Sequence, residues 1–220
     1  MTISFYNNHF YNSNASTLAE QYLALSFEEV HQDWFQFLAV ILEKPDAHIL
    51  DIGAGAGRDS KFLAKLAAKT HSVNNNVQIL AVEPAQKLLD IGQKKTKNLS
   101  VTWLNDALPT LNKISELDTK FDLILLSAVW MHLPPEERLH AINTLSHLLN
   151  DGGILVISLR HGQTEEDLTK RGMHTVCANE LKKLANSMGL NCIHETPFKP
   201  DKLGREHLSW QTLVLQARRI

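Results

Sequence analysis

Asp51, Gly53, Gly55, Gly57 and Arg58 are the residues whose types and spacing most directly allow chemistry. They lie in Ile49-Leu50-Asp51-Ile52-Gly53-Ala54-Gly55-Ala56-Gly57-Arg58-Asp59, an apolar run that ends in an acid and opens into a glycine-rich turn. The run reads as a buried parallel strand, and glycines let backbone approach a ligand with no Cβ in the way. A helix following the turn would offer unpaired N–H groups at the same place. The spacing is G-x-G-x-G, and Arg58 stands where a further glycine would complete G-x-G-x-x-G. A dinucleotide pyrophosphate wants that third spaced glycine close to the helix start. An acid before the turn and a cation after it suit a ligand bearing one amine and one carboxylate.

Strands and helices that alternate along the chain must hold this turn in place. Residues before Ser26 are polar and asparagine-rich, a poor core but a fitting arm or lid. Ser26-Phe27-Glu28-Glu29 is a capping box, and Phe27, Val30, Trp34, Leu38 and Ile41 recur at helical spacing up to Pro45. Residues 1–44 are therefore read as an arm and helix, and 45–220 as one compact domain with them. After the first strand, Phe62, Leu63 and Leu66 mark a helix, and Ser72–Asn76 a polar loop. Further strands are expected at Val77–Val82, Leu99–Leu104, Phe121–Ser127 and Gly152–Leu159, with a helix from Pro84 to Lys94. A short helix is expected around Leu111–Leu117, and another from Pro134 and Pro135 to Leu149, prolines costing nothing in a first turn. Asp151-Gly152-Gly153 reads as the turn into the fifth strand, and a helix over Asn179–Met188 ends at Gly189. Asn191–Glu195 and Ser209–Ala217 close the sheet with no helical pattern between them, as an antiparallel pair would. The expectation is an α/β fold with seven strands, mostly parallel, and ligands at the strand C-terminal edge.

The chain has 220 residues, 44% of them hydrophobic and 21% charged, which is ordinary for a globular domain. A formal net charge of −2 gives no electrostatic reason to expect nucleic acid as the main partner. Cys177 and Cys192 have neither metal-ligand nor disulfide-framework spacing, and none of the eleven histidines forms H-x-x-x-H or H-E-x-x-H. No metal is expected. Met1–Tyr6 lacks the basic start and apolar core of a signal peptide, and no run reaches the ~20 apolar residues of a membrane span. A cytoplasmic protein with a small-molecule partner is expected, and the sequence sets no oligomeric state.

From about Tyr11 to Arg218 the chain resembles the class I S-adenosylmethionine (SAM)-dependent methyltransferases, whose fold is a Rossmann-like sheet with helices on both faces. The markers are Asp51-Ile52-Gly53-Ala54-Gly55, Leu80-Ala81-Val82-Glu83-Pro84, Trp103-Leu104-Asn105-Asp106-Ala107, and the fourth and fifth strands, in that order. The resemblance implies that Asp51, Gly53, Ala54 and Gly55 wrap the methionine part of SAM. It implies that Glu83, beside Pro84, holds the ribose hydroxyls, and that Asp106, between Asn105 and Ala107, sits by the adenine. Arg58 is then either a clamp on the SAM carboxylate or a helix-surface cation. Tyr11 and Tyr22 are expected to fold over the ligand from the arm, with simple packing the other reading of Tyr22. The arm becomes a lid over the SAM site.

In that family, the stretch Ser127-Ala128-Val129-Trp130-Met131-His132-Leu133 borders both SAM and substrate. Methyl transfer from a sulfonium is an in-line displacement, so the protein chiefly aligns the partners and excludes water. A protic acceptor also calls for a base, and His132 is the first candidate, against a plain hydrogen-bonded histidine. Trp130 is either a wall of the site or core packing. Arg160, His161, Arg171 and His174 follow the fifth strand and as a group could grip a carboxylate or phosphate. No Asp/Asn-Pro-Pro-aromatic motif follows strand four, which disfavours methylation of nucleobase amines. The leading expectation is a methyltransferase acting on oxygen or nitrogen of a small, in one reading anionic, metabolite, with S-adenosylhomocysteine as second product. Alternatives are a protein or RNA methyltransferase, a SAM-binding partner without turnover, and a nicotinamide-dependent dehydrogenase.

Overall fold

The computed structural model of the protein describes residues 3–69 and 76–218, so most of the loop expected over Ser72–Asn76 lies outside them. The N-terminal region forms helices α1 (Ile3–Ser13), α2 (Ala15–Leu23), α3 (Phe27–His31) and α4 (Gln36–Leu42). Strands and helices then alternate: β1 (His48–Ile52), α5 (Arg58–Lys69), β2 (Gln78–Val82), α6 (Gln86–Lys95), β3 (Val101–Leu104), α7 (Asn112–Ser115) and β4 (Phe121–Leu126). After a 3-10 turn at Trp130–His132 come α8 (Pro135–Leu148), β5 (Leu149–His161), α9 (Glu165–Thr169) and α10 (Ala178–Ser187). The chain closes with β6 (Leu190–Glu195), β7 (Lys199–Pro200) and β8 (Ser209–Ala217).

One sheet runs in the order β3-β2-β1-β4-β5-β8-β6, with β7 paired to β8. Strands β1 to β5 run parallel to one another, and β8 is antiparallel to both β5 and β6. The expected α/β sheet and its paired closing strands are present. The eighth strand, β7, lies in a segment too short and too polar to be legible as one.

Alternating residues of the central strands feed two apolar layers, as the period of two requires. Leu50, Ile52, Ile124, Leu126, Leu155 and Ile157 pack on the side of Ala141, Ile142 and Leu145 of α8 and Leu181 of α10. Ile49, Ile79, Leu123, Leu125, Val156 and Val214 pack on the opposite side, against Phe27, Trp34, Leu38 and Leu63. A third, smaller cluster joins Ala15 and Ala19 of α2 to Ala85 and Leu88 at the start of α6. This cluster seats the N-terminal helices over the C-terminal edge of the sheet.

The polar arm before Ser26 is helical, its few apolar residues being spaced to meet α6. Two local expectations are corrected. The helix opened by Ser26 breaks after His31, because Trp34 donates its indole N–H to His31 Nδ1 and its backbone N–H to the His31 carbonyl. Asp151-Gly152-Gly153 lies within β5, where the register against β4 shifts between Phe121 and Leu123 and Gly152 takes a positive φ of 71°.

Gly162, just past β5, has φ of +82°, and a Cβ there would run into the His207 carbonyl. Both strain and overlap with rigid backbone oppose a side chain. Gly162→Ala is expected to cost about 2–5 kcal/mol in urea or thermal unfolding.

Candidate functional site

The sheet order reverses between β1 and β4, and open α/β sheets bind ligands at such a crevice. A cavity of about 340 Å³ occupies it, within the range of small-molecule sites. The glycine turn forms its floor. Gly53 and Ala54 donate backbone N–H groups to the Val82 carbonyl at 2.8 and 3.0 Å, which ties the turn to the end of β2. Gly53, at φ +68°, leaves no room for a methyl beside Val129 Cγ2, so the turn and the segment after β4 touch through the absent side chain. Ala128 on that segment also holds a positive φ of 59°, with its N–H on Ser158 Oγ at 2.8 Å. Non-glycine backbone of this kind costs energy, and here it lines the cavity.

Glu83, at the end of β2, is 6% exposed and lines the cavity. Its Oε2 accepts the Gly55 N–H at 2.9 Å and its Oε1 the Ala85 N–H at 2.8 Å. Burial pushes its carboxyl up to about 7, while the two N–H donors pull the other way. The carboxylate is thus fixed to the glycine turn with acceptor capacity left on both oxygens. Asp106 also lines the cavity; its Oδ2 accepts the Lys113 and Ile114 N–H groups, capping α7, and its Oδ1 accepts that of Ala107.

Arg58 opens α5 with a two-point bond to its neighbour, Nε to Asp59 Oδ1 at 2.6 Å and Nη2 to Oδ2 at 2.9 Å. Its remaining contacts are long, 3.4 Å to the Tyr22 carbonyl and 3.4 Å to Ser127 Oγ. Asp59 meets His31 Nε2 at 3.0 Å. Because His31 Nδ1 accepts from Trp34, its one ring proton is on Nε2 and donates to Asp59. Burial opposes ionisation of Asp59, but the Arg58 guanidinium and His31 hold its carboxyl well below the usual range. Behind it Asp51, 1% exposed, accepts from Ser60 Oγ at 2.5 Å, and burial and the Asp59 charge push it up.

Tyr11 and Tyr22 reach the cavity from α1 and α2. Arg171 Nη2 donates to the Tyr11 hydroxyl at 3.0 Å, so the Tyr11 proton is free to donate to His132 Nε2, 3.1 Å away. That order of donors puts the His132 proton on Nδ1. Enclosure and the Arg171 charge push His132 down to about 3. Arg171 Nη1 and Arg160 Nη2 share Asp167, at 3.1 and 2.8 Å. Arg160 is 4% exposed and also faces the Met173 sulfur at 2.7 Å. Opposite Arg160 in the β5–β8 register stands Trp210, with Lys199 on its far side.

Of the sequence-predicted residues, the structure gathers Tyr11, Tyr22, Gly53, Ala54, Gly55, Arg58, Glu83, Pro84, Asp106, Ala107, Ser127, His132, Arg160 and Arg171 around one cavity. Asp51 stands behind the turn, and Asn105 turns to the Pro84 carbonyl and Gln86. Trp130 is 1% exposed in the core, the packing reading of that residue. His161 packs on Phe198 with centroids 4.8 Å apart, and His174 uses its backbone N–H on the Met131 carbonyl; neither side chain lines the cavity. Sequence reasoning missed His31, Asp59, Asp167 and Trp210. Asp167 carried a signal, since Thr164 and Asp167 form a capping box that predicts α9. Among the described residues no three His, Cys, Asp or Glu side chains gather as a metal-ligand set.

Fold and crevice together define a Rossmann-like α/β protein with its ligand site at the β1–β4 switch point. A family model described as a methyltransferase domain matches residues 49–153. An uncharacterized methyltransferase of Staphylococcus carnosus (strain TM300) is 25% identical over 183 residues, 75% of this chain and 80% of its own. One from Bacillus thuringiensis (strain Al Hakam) is 27% identical over 166 residues, 72% of this chain and 71% of its own. Magnesium protoporphyrin IX methyltransferase from Synechocystis PCC 6803, solved with bound SAM, has a similar fold. Its TM-score is 0.68 at 14% identity, over 99% of this chain and 98% of that one. The matching methyltransferase-domain model and these relatives support a class I SAM-dependent methyltransferase.

Proposed function

We propose that the cavity binds SAM and that the protein transfers its methyl group to oxygen or nitrogen of a small, anionic metabolite. The observation that carries this reading is Glu83, locked by Gly55 and Ala85 N–H groups so that one carboxylate oxygen lies at the glycine turn and the other at the start of α6. A carboxylate so held suits two neighbouring hydroxyls, and the turn beside it leaves backbone open to the methionine end. Arg58, Tyr22 and Ser127 would meet that end, and Asp106 and Ala107 the base. When bound, SAM supplies an electrophilic methyl on a positively charged sulfur. The chain's own part is to orient donor and acceptor and to exclude water. Helices α1 and α2 act as the lid, with Tyr11 pinned to His132 and Arg171 from the domain.

Small-molecule substrates fit a cavity of this size closed by an arm, and the Synechocystis protein of like fold is named for one, magnesium protoporphyrin IX. No described helix is long and apolar enough to cross a membrane. A cytoplasmic place is part of the proposal, in keeping with Cys177 and Cys192 both being free thiols. A thermal-shift comparison tests the reading. S-adenosylhomocysteine is expected to raise the melting temperature by several degrees and NAD to leave it unmoved; the opposite order would overturn it.

A further inference from the structure

Resting on that reading of the cavity, we infer that the acceptor is a carboxylate, converted to its methyl ester, with Arg171 and Arg160 holding its charge. The first ground is a charge imbalance in the acceptor half of the cavity. Two guanidiniums, Arg160 and Arg171, lean on the single carboxylate of Asp167. Their side chains are 5% and 17% exposed, so solvent does little to offset the unmatched positive charge. Each guanidinium also keeps a buried Nε–H with no partner, and one further Arg160 N–H meets only the Met173 thioether, a weak acceptor. The carboxylate of Glu137 lines the same cavity from the first turn of α8, half-exposed, and makes no ion pair with either guanidinium. Asp33 and Asp201 are paired with Lys199 and Arg205. An anion is the ligand this half lacks, and an ammonium would be repelled.

The second ground is that, among the described residues, this half holds no free base suited to neutral pH: Glu83, pushed up to about 7, is committed to the Gly55 and Ala85 N–H groups. His132 Nε2 is occupied by the Tyr11 hydroxyl, and enclosure with the Arg171 charge holds the ring neutral far below neutrality. Burial pushes the Tyr11 phenol up. An ordinary carboxylate is too weak a base to deprotonate an ammonium or an alcohol. A carboxylate nucleophile needs none. One of its oxygens forms a bond to the methyl carbon while the carbon–sulfur bond breaks and its electron pair stays on sulfur. The negative acceptor and positive sulfonium become a neutral ester and a neutral thioether, and no proton is released. Trp210, beside Arg160 across the strand pair, gives the chamber an aromatic wall, so aryl carboxylates are the apt probes.

The test has a binding and a transfer arm, both on the full chain. With protein saturated by S-adenosylhomocysteine, benzoate is expected to bind about tenfold more tightly than benzylamine by calorimetry. Arg171→Gln, likewise saturated with S-adenosylhomocysteine, is expected to abolish that preference. Equal or reversed preference in the parent protein, or no binding of either probe, overturns the inference. In the transfer arm, methyl-tritiated SAM is incubated with the low-molecular-weight fraction of a bacterial extract. Label that leaves the product as volatile methanol under mild alkali supports ester formation. Alkali-stable label, or no transfer by protein that binds SAM, overturns it. A protein that fails to bind SAM or S-adenosylhomocysteine overturns the cofactor reading instead.

Discussion

Asp59→Ala is expected to destabilise the protein by about 3–5 kcal/mol, the range for breaking a buried ion pair from one side. Asp59 accepts from Arg58 twice and from His31 once, and its side chain is 6% exposed. Without it Arg58 keeps only the two 3.4 Å contacts, to Tyr22 and Ser127, and the His31 N–H loses its acceptor. The loss spreads, because His31 also orders Trp34, which anchors α4 to the sheet. The pH dependence has a definite sign. Asp59 is held below its unfolded value, so its contribution is present above about pH 4 and lost as pH falls towards the lower folded value. Urea unfolding of parent and variant at pH 7 should differ by the full amount, and the gap should narrow in acid. A constant gap would mean that Asp59 acts through shape alone. Asp59→Asn, which keeps the shape, should recover part of the loss.

Glu83→Gln should weaken SAM binding by about 10- to 100-fold, the equivalent of about 1.5–3 kcal/mol for hydrogen bonds to a charged acceptor. Both Glu83 oxygens now accept backbone N–H groups. An amide presents one oxygen and one NH2, and the NH2 would face an N–H of Gly55 or Ala85, which disturbs the cradle as well as the proposed ribose contact. Its pH signature runs opposite to that of Asp59. The folded value near 7 lies above the unfolded one near 4.3. The stability this group contributes is therefore complete below about pH 4 and lost as pH rises through 7. Hydroxyls bind the ionised form, so SAM affinity should climb as pH rises from 6 to 8 and then level. Calorimetry in the Gln variant should show that slope removed.

Much of the sheet was legible because parallel strands covered on both faces read as plain apolar runs. Ile79 to Val82 and Leu123 to Leu126 are of this kind. The resemblance marked Glu83, where β2 ends, and Asp106, just past β3, and both line the cavity. Long-range polar bonds left no such trace. Asp59 meets His31 28 residues away, and Arg171 meets Tyr11 160 residues away, and no local period records either pair. The break after His31 was hidden for a related reason. Phe27, Trp34 and Leu38 keep helical spacing through it, since all three still face the same core. Arg58 reads in the sequence as a clamp or a surface cation; it lines the cavity, and its tie to Asp59, the next residue, leaves no pattern in the sequence. Of the group expected at the end of β5 and beyond, Arg160 and Arg171 line the cavity and His161 and His174 do not, a difference of side-chain direction that their position in sequence does not record.

The central claim is that the crevice between β1 and β4 is a SAM site. Calorimetric titration of SAM into the unliganded protein at pH 8 tests it most directly. The account predicts saturable one-to-one binding with a dissociation constant in the micromolar range, about −8 kcal/mol or tighter. It also predicts that the same titration of Glu83→Gln is shifted by one to two orders of magnitude. Absence of saturable binding by correctly folded parent protein, or equal affinity in the Glu83 variant, would contradict it.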